Sequence, residues 1–234
     1  AYHGVKWAAV ASYSTRLIRL VVLFVLMALV PKREFGLMAI ASIFFLISQN
    51  FSELGVGQAL IWHRGRHEGE DPTRAMDTGL VMVLTINLTI LVLMMLAAPW
   101  VAAWFEEPRA TAVIRVLLMG MILSTVAIVP RSMLEKNLAF RAAVWPEVLP
   151  AFVSGLVSIP LAFTLRNVWA LIAGQIVSLG LRLVLYTWAA GWRPRLRFAG
   201  AICRELLIFA LPLLSVAVLS TVGAVITPTV IAKG

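Results

Sequence analysis

The sequence predicts an all-α, polytopic membrane helix bundle with about seven transmembrane helices, and three observations carry that prediction. Hydrophobic residues make up 61% of the 234 and charged residues only 13%, with a mean hydropathy of +0.94, whereas soluble domains run near 45–50% apolar and 25% charged. The apolar residues come in runs long enough to cross a ~30 Å hydrocarbon layer at ~1.5 Å per residue. Polar breaks between the runs alternate between tight turns and longer basic loops.

Taken in order, the expected helices are Trp7–Val30, Phe35–Ile61, Ala75–Trp104, Ala110–Val129, Ala142–Leu165, Val168–Gly191 and Leu206–Ile231. The first run contains Arg16 and Arg19 and ends on Pro31-Lys32-Arg33, so it reads as a span and not a cleavable signal. Pro31–Glu34, Glu106–Arg109 and Arg166-Asn167 are tight connections, and Trp62–Arg74, Pro130–Arg141 and Trp192–Glu205 are the longer basic ones. Pro130–Arg141 stands out, because it is the polar break between two membrane-length runs and is expected to be a loop. A chain that opens on Ala1 and stops just after an apolar run is expected to be a piece of a longer protein.

Loop cations set the orientation. Lys6, Arg64, Arg66, Arg74, Arg131, Lys136, Arg141, Arg193, Arg195, Arg197 and Arg204 fall on the amino-terminal side, and Lys32, Arg33, Arg109, Arg166 and Lys233 on the other. Positive residues are retained in the cytoplasm, so the amino terminus is expected inside. The net charge of +9 lies beside apolar helices, which makes anionic lipid headgroups, and not nucleic acid, the expected counter-charge. Cys203 falls in a cytoplasmic loop where a disulfide does not persist. Trp100, Trp104, Trp145, Trp169, Trp188 and Trp192 sit near helix ends and are expected to anchor at headgroup level. His3, His63 and His67 read as solvated loop residues, and no metal spacing, phosphate loop or nucleophile-base set is visible.

Function is sought where charge enters lipid, because ionisable residues there are costly. Ser12, Arg16 and Arg19 follow an i, i+4, i+7 spacing and share one face of the first helix. Arg182 lies nine residues before Gly191 at a comparable depth. Arg115, five residues into its helix, can snorkel to water. Glu53 and Glu147 fall in the same half of the bilayer as the three arginines. Two readings stand: a structural set of ion pairs, or a cavity offering Arg16, Arg19 and Arg182 to an anionic headgroup, with the carboxylates positioning them or serving as proton or cation sites. Guanidinium suits phosphate, since it binds oxygens bidentately and stays charged when desolvated. Pro146, Pro150 and Pro160 with Ser154 and Gly155 in one span, and Pro212, Gly223 and Pro228 in another, allow bending and close contact.

Several segments resemble a known family. Phe51–Ile61 is similar to the second-helix end of the Wzx-like polysaccharide-biosynthesis flippases, within the multidrug/oligosaccharidyl-lipid/polysaccharide exporter superfamily. Ala97–Pro108 followed by Ile114–Leu117 resembles their passage from third to fourth helix, and Val129–Arg141, Val168–Gln175 and Trp192–Phe198 continue the match in order. Ala28–Gly36 keeps the Pro-x-x-Phe-Gly ending without the usual Ala-Arg-Leu approach, and Ser220–Thr229 lacks the acidic residue often found in the seventh helix. The resemblance implies a two-lobe carrier, not an enzyme, in the bacterial cytoplasmic membrane. Residues 1–191 would be the first six-helix lobe, 192–205 a basic cytoplasmic linker, and 206–234 the first helix of the second lobe. The implied cargo is a polyprenyl-diphosphate-linked oligosaccharide, and the implied partners are membrane lipids, a polysaccharide polymerase and glycosyltransferases. It implies no cofactor beyond a coupling cation, H+ or Na+. A cation-coupled exporter of drug-like or lipidic molecules is the alternative in the same fold, and a cavity fronted by Glu53 and Glu147 would favour it. A membrane transferase needs a carboxylate, histidine or metal constellation at a membrane face, which these short loops do not supply.

Overall fold

Six helices are seen in the computed structural model, which describes residues 2–53, 72–137, 140–192, 199, 200, 203 and 208. They are α1 (Tyr2–Leu29), α2 (Lys32–Glu53), α3 (Pro72–Trp104), α4 (Ala110–Lys136), α5 (Phe140–Leu165) and α6 (Val168–Ala190). Five are long and apolar enough to cross a membrane, over Ser12–Leu29, Met76–Trp104, Ala110–Lys136, Ala142–Leu165 and Val168–Ala190. α2 is more polar, opening on Lys32-Arg33-Glu34, yet its 22 residues extend roughly 33 Å and it packs on α3, α4 and α6. The seventh expected helix, Leu206–Ile231, lies outside the described residues apart from Ile208.

Local chemistry explains the ends. At one end of the bundle Pro31 interrupts the chain between α1 and α2. Glu106 (φ 53°) turns the chain between α3 and α4, and Arg166 (φ 47°) does so between α5 and α6. Asn167 then caps α6, its side chain accepting from the Trp169 N–H at 3.1 Å. α6 stops in the opposite half at Gly191, whose left-handed φ of 60° lets two backbone bonds close the helix: Gly191 N–H to Trp188 O and Trp192 N–H to Thr187 O. This is the Schellman arrangement, in which the following residue folds back onto apolar neighbours.

That geometry corrects one expectation. Trp192 is not a headgroup anchor, because it is buried against Met76, Leu80, Val83 and Val129, with Ala199 and Cys203 beside them. Trp100, Trp104, Trp145, Trp169 and Trp188 are exposed near helix ends, as an anchoring role requires. A second correction concerns Pro130–Arg141. α4 passes through Pro130 and ends only at Lys136. Proline removes one helical hydrogen bond but is tolerated in membrane helices where neighbours compensate. Beyond the proline the helix continues, with the Ser132 hydroxyl donating to Val129 O at 2.8 Å and Arg131 pairing with Glu135 one turn on. At 27 residues α4 is roughly 40 Å long, so its final turns outrun the hydrocarbon and keep those charges near water.

The described helices pack as a layered chain: α1 on α5, α5 on α6, α6 on α4, and α4 on both α2 and α3. Leu37, Phe45, Leu91, Ile114, Leu117, Leu118, Met121 and Ile172 fill the core between α2, α3, α4 and α6. Leu26, Val30, Ala162, Ala170 and Leu171 form a smaller one joining α1, α5 and α6. In lipid, helices associate by van der Waals fit and not by escape from water, so small residues set the approach. A Cβ on Gly174 of α6 would run into Ser158 Oγ and lie 2.8 Å from the Ser154 carbonyl of α5. One on Gly155 of α5 would stand 2.5 Å from Val22 Cγ2 of α1. α1 is the outlier, with Tyr13, Leu17, Leu20, Val21, Phe24 and Met27 exposed and contact chiefly to α5.

Candidate functional site on α1, α5 and α6

Glu147, in the third turn of α5, collects two side chains from α6. Arg182 Nη2 pairs with Glu147 Oε2, and the Tyr186 hydroxyl donates to Oε1 at 2.5 Å. Arg182 and Tyr186 are four residues apart and so share a face, which is how one carboxylate meets both. Glu147 and Arg182 are each 29% exposed at the side chain, whereas Tyr186 is buried. From α1, Thr15 Oγ1 donates a long 3.5 Å bond to the Glu147 carbonyl. Arg19 lies within electrostatic range of Arg182 and Glu147, and Arg131 of α4 within range of Glu147 and Tyr186.

The expected residues therefore separate. Arg182 and Glu147 are brought together. Ser12, Arg16 and Arg19 lie on exposed positions of α1, and neither arginine forms an ion pair among the described residues. Measured along the helices from the tight-turn end, Arg19 is about 15 Å in, Arg16 and Arg182 about 20 Å, and Glu147 about 27 Å. Arg19 is thus close to the middle of a ~30 Å layer. Glu53 closes α2, and its side chain lies outside the described residues. Arg115 is exposed on α4, as snorkelling requires.

Sequence reasoning missed Tyr186, Thr15 and Arg131 as members of this cluster. For Tyr186 a signal existed, since it stands one helical turn from a charge in a membrane span. It also missed a second polar centre at the other end. Glu34, buried in the first turn of α2, accepts from Arg109 at 3.1 and 3.5 Å and from the Val168 backbone N–H at 2.9 Å. Arg33 beside it pairs with Glu107 at 2.8 Å. Glu34 thereby joins the starts of α2, α4 and α6, a favourable place for an anion because helix N-termini present unpaired N–H groups.

The two centres differ in setting. The Glu34 centre ties helix ends together around a buried carboxylate whose arginine partner reaches water. The other centre gathers Arg182 of α6 and Arg19 of α1 about Glu147, with Arg131 of α4 nearby and held by Glu135, on a partly open face that suits an anion larger than a carboxylate. Comparison with curated proteins and with solved structures gives no match. A family model described as polysaccharide biosynthesis protein matches residues 25–234, from the last turns of α1 to the end of the chain. The chain is therefore a multi-pass membrane protein that belongs to the polysaccharide biosynthesis protein family, the one its motifs resemble.

Proposed function

We propose that this chain is the first lobe of a carrier that moves a polyprenyl-diphosphate-linked oligosaccharide from the inner to the outer leaflet of the bacterial cytoplasmic membrane by alternating access. The observation that carries the reading is the face of α1. Arg16 and Arg19 are exposed within the span and form no ion pair among the described residues, Arg19 having only the more distant Glu147 within electrostatic range. An arginine facing acyl chains costs about 2.5–3.5 kcal/mol at a helix centre even on the lenient insertion scale. A sequence that places two on one face is accounted for if that face borders a hydrated cleft between lobes, with the second lobe opposite. Arg16 and Arg19 then meet the diphosphate, and the sugars occupy the cleft.

The basic ends of the helices face the cytoplasm in this reading, and the tight-turn end with Glu34 faces outward, following the bias of loop Lys and Arg. Residues 192–205 link the lobes and 206–234 open the second. Glycosyltransferases would act before the flip and a polymerase after it, and H+ or Na+ is the coupling ion to be tested. The drug-exporter alternative asks for free acidic groups lining the cavity, whereas Glu147 is already engaged by Arg182 and Tyr186. Arg16→Glu and Arg19→Glu in the full-length protein test the proposal. Each is expected to abolish surface polysaccharide while membrane insertion stays normal, and unchanged export in both variants would sink it.

A further inference from the structure

The cluster around Glu147 has the form of an anion site filled by the protein's own side chain. Two donors on α6, Arg182 Nη2 and the Tyr186 hydroxyl, converge from one helix face on the two oxygens of a single carboxylate. Arg19 and Arg131 add positive potential from α1 and α4, and Glu135, already held by Arg131, is the other carboxylate near them. Phosphate presents oxygens with the same sign as a carboxylate and satisfies the same donors, and guanidinium favours both. The pair is 29% exposed on both members and lies within electrostatic range of Arg19, which has no ion pair of its own among the described residues.

We propose that Glu147 is a resident competitor for the diphosphate group. Cargo entry moves its carboxylate off Arg182, and cargo release lets it return. This rests on the carrier reading above and adds to it a positioning residue that resets the site. Without Glu147, Arg182 and Arg19, with the Glu135-paired Arg131 nearby, would hold a diphosphate tightly and give it up slowly. With it, binding is an exchange of one anion for another, in which Arg182 is never left unpaired in a region of low dielectric. Tyr186 keeps the displaced or returning carboxylate in reach.

The test is binding of undecaprenyl diphosphate to the full-length, detergent-purified protein, with inorganic pyrophosphate as a second arm. Pyrophosphate binding would assign recognition to the diphosphate itself, and binding of the lipid alone would assign it to the membrane-anchored form. Glu147→Gln, which keeps shape and an acceptor for Tyr186, is expected to tighten binding about tenfold while slowing export. Should that variant fold poorly, the double variant E147Q/R182Q removes both charges and leaves no orphan. The exchange reading expects it to bind at least tenfold more weakly than wild type, because the seat itself is lost. Wild-type affinity in the double variant, or unchanged or weaker binding in a well-folded E147Q, would overturn the proposal and leave the pair structural. Wild-type protein that binds neither probe, together with unaffected export in the α1 variants, would instead remove the carrier reading.

Discussion

Removing the Glu34 side chain should damage the bundle far from any cargo, and the structure sets the size of the effect. Glu34→Ala deletes two interactions of different character. The Val168 N–H, 2.9 Å from Oε2 in a buried setting, loses its acceptor, and an orphaned buried donor costs about 1–3 kcal/mol. The Arg109 pair is worth less, about 0.2–1 kcal/mol, because Arg109 is 53% exposed and water screens it. Glu34→Gln keeps an oxygen for Val168 and should cost no more than about 1 kcal/mol, as should Arg109→Ala, which leaves Glu34 on the helix terminus. Thermal unfolding of the detergent-solubilised protein reads this as an order: E34A lowest, E34Q and R109A close to wild type. In a chain of this size each kcal/mol moves Tm by roughly 2–4 °C. An R109A loss as large as that of E34A would refute the reasoning, since the surface pair and not the capped backbone would then dominate. An E34A variant indistinguishable from wild type would do so as well.

Two further outcomes follow from packing and from the face of α1. Gly174→Ala should destabilise the bundle by about 1–3 kcal/mol, the usual cost of overpacking. Adding Ser158→Ala should restore only part of the loss, because the Ser154 carbonyl still stands 2.8 Å from the new Cβ. Full rescue would show that only the hydroxyl was in the way. In a background with Cys203 replaced, Leu23→Cys, which shares the face of Arg16 and Arg19, should react with a charged membrane-impermeant maleimide in intact full-length protein. Val21→Cys, half a turn round, should not, although both positions are exposed on α1. Equal labelling, or none at Leu23→Cys, would contradict a hydrated cleft on that side.

By itself the sequence determined the class of the fold and most of its segmentation, because hydrocarbon thickness and backbone hydrogen bonding leave few options for apolar runs of this length. The starts and ends of α3, α5 and α6 lie within a few residues of where the runs begin and end, and the family likeness was legible in Phe51–Ile61 and in the motifs after it. Tertiary structure alone decided partnership. Hydropathy registers Arg16, Arg19 and Arg182 as equal intrusions, yet among the described residues only Arg182 of the three is ion-paired, because α5 and α6 pack together, close at Gly174, and bring Glu147 to it. Glu34 and Arg109 are 75 residues apart in the chain and looked like ordinary turn charges until three helix starts converged on them. Trp192 was read from its place at a helix end, and the fold-back after Gly191 buried it. Composition fixes which residues lipid tolerates, but which polar group neutralises which is settled only when helices distant in sequence are packed side by side.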